Sequence, residues 1–200
     1  MPFTRSAPMR LLTSLVVAIV VCCVPVSDAA AQTTSSAPTI VILVRHAEKG
    51  AEPTNDPPLT TRGTERAAAL SEALREAKVA AVYHTPTIRT RETARPVAAR
   101  FGLTPRLIPL VPRAAQADSI AAIVRRHPGE TIVLVGHSNT IMPWLAAIGG
   151  PTRPDLCDHE YDGLFTALVD RGNTRVIEAR YGPPNPTDPT GAAMLHCGGR

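Results

Sequence analysis

Residues 39–44, Thr-Ile-Val-Ile-Leu-Val, run without any alternation of polar and apolar side chains and lead straight into Arg45-His46. A strand with one wet face alternates. An unbroken β-branched run is instead the pattern of a strand covered on both faces, as in a parallel sheet flanked by helices. The same character recurs in residues 131–135 (Thr-Ile-Val-Leu-Val) and, more weakly, in residues 79–83. The chain has only one Trp, three Tyr and three Phe, so its core is built from aliphatic side chains.

Helical patterns separate these runs. Residues 61–77 place Ala67, Leu70, Leu74 and Ala77 on one face. Residues 118–127 align Ile120, Ile123, Val124 and His127, with Asp118 or Ser119 as the expected N-cap. Residues 91–101 and 139–148 are further candidates, and residues 164–170 and 175–181 read as a hairpin turning at Gly172-Asn173. Strands alternating with helices predict an α/β domain: three layers, α/β/α, around a largely parallel central sheet. At 200 residues and 44% apolar composition, one domain is expected, over residues 39–182.

The first 31 residues read as a secretory leader. Arg5 and Arg10 precede an apolar run from Leu11 to Val24, Pro25 ends it, and Ala29-Ala30-Ala31 supplies the small residues of a cleavage site. Cleavage after about Ala31 is expected to leave a periplasmic or secreted protein with no membrane anchor. Residues 32–38 read as a spacer and 183–200 as a Pro-rich tail. Of four cysteines, Cys157 and Cys197 remain in the mature chain, as one disulfide or as two free thiols.

A net charge of +4 invites a nucleic-acid reading, but 17 acidic residues interleave with 21 basic ones and the longest basic cluster is Arg125-Arg126. Nucleic-acid footprints cluster their charge, so no such partner is expected; a small anion suits this chain better. The oligomeric state is not readable.

In open α/β sheets, functional groups gather beyond the carboxyl ends of the strands. Three segments hold that position: Arg45-His46-Ala47-Glu48-Lys49, then His84 through Arg89-Thr90, then Gly136-His137-Ser138-Asn139-Thr140. Two histidines and two arginines are thus predicted on one rim. Two guanidiniums and the helix start at Asn139 make a pocket for a phosphate dianion. A neutral imidazole is a competent nucleophile toward phosphorus, and nearby arginines disfavour its protonation. The set suits phosphoryl transfer without a metal or other cofactor.

Arg45-His46 after the first strand, followed by Leu59-Thr60-x-x-Gly63, resembles the histidine phosphatase superfamily of phosphoglycerate-mutase-like fold. Thr85-x-x-x-Arg89-Thr90-x-x-Thr93-Ala94 is similar to its second motif, with Thr85 where Ser is common, and Val135-Gly136-His137-Ser138-Asn139 is similar to its third. The likeness is closest to the short bacterial branch, exported relatives included. It implies that His46 becomes phosphorylated and that Arg45, Arg89 and His137 hold the phosphoryl group. Asn139, Thr60 and Glu48 are expected to bind the small phosphorylated substrate. The general acid is the point of departure: the mutase branch has a Glu after the third strand, whereas residues 101–117 hold no acid, and His137 is followed by Ser138 where the acid-phosphatase branch has Asp. Asp118, Glu48, Glu52, water and His137 itself remain open for that role.

The expected activity is an exported, metal-independent phosphomonoesterase working through a phosphohistidine. Its alternatives are a phosphohistidine protein phosphatase, an envelope phosphosugar phosphatase, or a phosphate-binding relative without turnover. The retained His46 argues against a mere binder, which needs no nucleophile. A catalytic metal is not expected, since the histidines show no i, i+4 pair. A serine hydrolase is not expected either, because the turn at Gly136-His137-Ser138-Asn139-Thr140 lacks the closing glycine of a nucleophile elbow.

Overall fold

The computed structural model describes residues 37–109, 111–171 and 173–185, together with Met1. The predicted leader, most of the spacer, and the tail from residue 186, Cys197 included, lie outside the described residues. Ten elements follow in order: β1 (Thr39–Arg45), α1 (Thr61–Ala73), β2 (Val79–His84), α2 (Ile88–Arg100), β3 (Arg106–Leu107), α3 (Arg113–Arg125), β4 (Thr131–Gly136), α4 (Ser138–Ala147), β5 (Gly163–Asp170) and β6 (Asn173–Arg180).

The strands form one sheet in the order β3-β2-β4-β1-β5-β6. The first four in that order pair parallel, and β5 joins β1 antiparallel before the β5–β6 hairpin closes the edge. The sheet is therefore mixed, with a parallel centre, and the fold is α/β and phosphoglycerate-mutase-like.

The unbroken apolar runs are explained by what covers each face. From β1 and β4, Val41, Leu43, Ile132 and Leu134 pack with Ile120, Ile123, Trp144 and Leu145 of α3 and α4. The alternate residues Ile42, Val44, Val133 and Val135 pack with Leu70, Leu74, Ala94 and Val97 on the α1–α2 side. With both faces buried, neither register of side chains has reason to be polar.

The largest differences from expectation are at two helix ends, while α2 starts three residues and β6 two residues earlier than expected. Helix α3 begins at Arg113, with Pro112 in the N-cap position and no side-chain cap. Pro112 presets the helical entry, and the good helix formers at 114–116 (Ala-Ala-Gln) carry the helix ahead of its apolar stripe. Asp118 accordingly lies inside α3 and is exposed, so it caps nothing. Helix α1 stops at Ala73, because the chain turns and Lys78 takes a left-handed φ of 48°. Strand β3, only two residues long, was beneath what a sequence pattern can signal.

Candidate active site

The parallel register lines up the strand ends. Arg45 of β1 pairs with Gly136 of β4, His84 of β2 pairs with Val135, and the His46 amide donates to the Gly136 carbonyl at 2.8 Å. The three segments singled out in the sequence therefore leave the sheet side by side.

His46 is buried, and its Nδ1 lies 2.8 Å from the Ala47 carbonyl oxygen. A carbonyl can only accept, so Nδ1 carries the proton and the Nε2 lone pair is left free. The Ala47 amide in turn donates to Oγ1 of Thr93 at 2.9 Å, which ties the histidine turn to α2. The His137 ring stands 5.3 Å from the His46 ring, nearly edge-on at 66°. Thr85 Oγ1 donates to Thr90 Oγ1 at 3.1 Å and lies 2.8 Å from His137 Nε2. With its own proton spent on Thr90, the hydroxyl accepts from Nε2–H.

Burial and the Arg45 charge press the His46 pKa down to about 2. Burial, then Arg89 and Arg45, press His137 to about 4. Both imidazoles are thus neutral at physiological pH, the form a nucleophile toward phosphorus requires.

The two arginines are held from behind. Nη1 of Arg45 donates to the carbonyls of Cys157 (2.8 Å), Asp158 (2.8 Å) and Glu160 (3.1 Å). Its guanidinium also lies 4.2 Å from the centre of the Tyr161 ring. Nη1 of Arg89 meets Asp56 Oδ1 at 3.3 Å, and both oxygens of that carboxylate accept from the Ile88 amide at 3.0 Å. In each arginine Nε is buried with no partner among the described residues. Buried donors left open are costly. Two cationic ones beside neutral histidines are what an oxyanion satisfies.

Sequence reasoning brought His46, Arg45, Arg89 and His137 to this site, and the structure sets them together. Asn139 lies exposed in the first turn of α4. Thr60 is the N-cap of α1: its Oγ1 accepts from the Gly63 amide at 3.1 Å and donates to the Glu48 carbonyl at 3.3 Å. Glu48 faces cations rather than a substrate, with Arg66 at 2.9 and 2.7 Å and Arg62 at 3.2 Å. Neither Thr60 nor Glu48 thus has its side chain free for an anion. Asp56 and Tyr161 were missed; both lie in irregular segments whose approach to an arginine has no local sequence signal.

Of the acids that the sequence leaves open as proton donors, Glu48 is tied to Arg66 while Glu52 and Asp118 are exposed; Asp56 is tied to Arg89. No three His, Cys, Asp or Glu side chains among them form a group suited to a metal ion. Cys157 is buried and disulfide-bonded.

Two cavities stand out. The larger, about 420 Å³, runs behind the 153–163 segment and carries both signs of charge, Arg153 and Arg180 with Asp155 and Glu178. The smaller, about 270 Å³, is the one that reaches the site, through His137 and Thr85.

Residues 41–112 match the family model of the histidine phosphatase superfamily (branch 1). No curated protein matches the chain. Among solved structures, YhfR of Bacillus stearothermophilus is 23% identical, with a TM-score of 0.55 over 69% of this chain and 95% of its own. The protein histidine phosphatase SixA, complexed with tungstate, is 17% identical, with a TM-score of 0.59 over 70% and 96%. A phosphoglycerate mutase from Bacillus anthracis is 15% identical, with a TM-score of 0.56 over 72% and 94%. The solved structures show the shared fold, and the stretch matched by the histidine phosphatase superfamily model, residues 41–112, holds two of the three motifs, with the third closing the same site.

Proposed function

We propose that this protein is a phosphomonoesterase that works through a phosphohistidine at His46 and needs no metal. One observation carries the reading: His46 Nδ1 is committed to a carbonyl, which leaves Nε2 as a free nucleophile in the field of two arginines whose buried Nε–H groups have no partner among the described residues. In the first step Nε2 attacks phosphorus, the P–O bond to the leaving group breaks, and the departing oxygen takes up a proton from water. In the second, water attacks phosphorus, the N–P bond breaks, and inorganic phosphate leaves with Nε2 restored. Arg45 and Arg89 neutralise charge on the equatorial oxygens beside the His137 ring, and most of the acceleration in phosphoryl transfer comes from such positioning and neutralisation.

Two proteins of similar fold were solved with oxyanions, in keeping with an anion as the ligand here. SixA is a protein histidine phosphatase complexed with tungstate, and a mycobacterial glucosyl-3-phosphoglycerate phosphatase was solved with vanadate. With residues 1–31 read as a cleaved leader, the enzyme is exported and its substrate is extracytoplasmic.

The deciding experiment is hydrolysis of p-nitrophenyl phosphate in EDTA, with His46→Ala alongside. This leaving group departs without a proton donor, so the result does not depend on which group serves as the general acid. Activity that survives EDTA and disappears in the variant is expected. Wild-type activity in His46→Ala would falsify the proposal.

A further inference from the structure

The cavity of about 270 Å³ beside His137 has walls from Ile108, Pro109 and Val111 after β3, Ile120 of α3 and Trp144 of α4. Thr85 and His137, which meet each other at 2.8 Å, form its end at the phosphoryl site, whereas neither His46 nor Arg45 lines it. No charged side chain is among the described residues that line it; its polar groups are hydroxyls, the Gln116 amide and the His137 imidazole.

In-line displacement puts the leaving oxygen on the side of phosphorus away from the nucleophile. The chamber that opens beside His137, lined by neither His46 nor Arg45, is largely apolar and uncharged among its described lining residues, which suits it to receive that leaving group. We infer that this cavity is the leaving-group subsite and that the preferred substrates are phosphomonoesters of uncharged aryl or arylalkyl alcohols. The inference rests on the phosphatase reading and adds the substrate class to it.

Size and charge both narrow the choice. A dry cavity of about 150 Å³ already holds benzene, so this one takes a substituted ring. A leaving group with its own carboxylate or ammonium would have to bury that charge with no counter-ion among the described residues of the walls, a costly arrangement. Phosphorylated sugar acids and amino acids are therefore poor substrates on this reading. The larger cavity, with its mixed charges, does not reach the histidines.

Benzyl and ethyl phosphate test the idea, because their alcohols leave with similar difficulty and differ chiefly in apolar area. Trp144 is the chain's only tryptophan and stands in the cavity wall, so its fluorescence reports occupancy directly. Titrating the full-length protein with benzylphosphonate and ethylphosphonate, which cannot be hydrolysed, should show Trp144 responding to the benzyl compound at about tenfold lower concentration or better. Benzyl phosphate should show a matching advantage in kcat/KM. Ser119→Asp, a substitution at a half-buried lining position of α3, should bring both ratios toward one.

Equal affinities for the two phosphonates in the wild type, or a benzyl preference untouched in folded Ser119→Asp, overturns the subsite. Failure to hydrolyse either ester overturns the phosphatase reading instead, while the phosphonate titration still decides the cavity. Should Ser119→Asp not fold, the wild-type comparison decides alone.

Discussion

Glu48 and Arg66 meet as a bidentate ion pair, at 2.9 and 2.7 Å, with the Arg66 side chain wholly inaccessible to solvent. Nη1 of Arg66 continues to the Tyr181 carbonyl at 3.0 Å, so one guanidinium joins the turn after His46 to the chain beyond β6. Burial on its own would raise the Glu48 pKa, but the bonds from Arg66 and Arg62 outweigh it and hold the carboxyl below its usual range. An acid held ionised in this way is a poor proton donor.

Glu48→Gln is therefore expected to act on stability. It strands a buried cation, a change that typically costs about 3–5 kcal/mol. Urea unfolding of the variant should show that loss. An unchanged midpoint, with turnover lost selectively on alkyl phosphates, would make Glu48 the proton donor and refute this assignment.

Arg89 should prove irreplaceable by lysine. Its fork points Nη1 at Asp56 while Nε stays buried and open, and an ammonium cannot serve two directions from one planar group. Arg89→Ala is expected to lower kcat by about 100- to 1000-fold, the usual cost of one preorganised donor. Arg89→Lys should recover little of it. Asp56→Asn should fall between, since it weakens the hold on Arg89 without removing it. Steady-state kinetics on p-nitrophenyl phosphate would decide, and full activity in Arg89→Lys counts against the fork.

The parallel centre of the sheet was legible because burial on both faces forces unbroken apolar runs, and these end at the strand tips that carry Arg45, His84 and His137. The four principal site residues followed from that geometry and from motif order. What was not legible depends on long-range closure. Asp56 reaches Arg89 across 33 positions, and the carbonyls of 157, 158 and 160 reach Arg45 across more than a hundred. Backbone carbonyls carry no sequence signal at all. Glu48, adjacent in sequence to the nucleophile turn, reads as a substrate ligand because nothing local pairs it with Arg66, eighteen positions on and a helical turn inside α1.

Gly63 is required by close approach. A Cβ built there would stand 2.2 Å from the Glu48 carbonyl oxygen and 3.1 Å from the Glu48 amide nitrogen, both backbone atoms with nowhere to retreat. Gly63→Ala should push α1 away from the turn after His46, lower the unfolding midpoint, and reduce kcat together with stability. Gly102→Ala is the control, because nothing lies within 4 Å of its added Cβ, although its φ of 65° brings some backbone strain. Gly63→Ala tolerated as well as Gly102→Ala would show that the helix moves freely and that its contact with the turn is not a constraint.

Stability should fall on acidification through the two site histidines. An unfolded histidine takes a proton near pH 6.5, whereas His137 resists to about 4 and His46 to about 2. Their folded-state values are depressed, so the unfolded chain binds more protons below pH 6.5 and stability rises with pH across that window. It is complete above pH 6.5 and is lost progressively as the pH falls toward 4 and then 2. Each histidine contributes a slope of at most about 1.4 kcal/mol per pH unit. Urea melts at pH 7 and pH 5 should thus separate more widely for the wild type than for His46→Asn/His137→Asn. Saturating inorganic phosphate should narrow the wild-type gap, because burial and the Arg45 and Arg89 fields together keep the rings neutral and its negative charge opposes the latter. Equal gaps in wild type and double variant would mean that these rings are not held neutral by the fold.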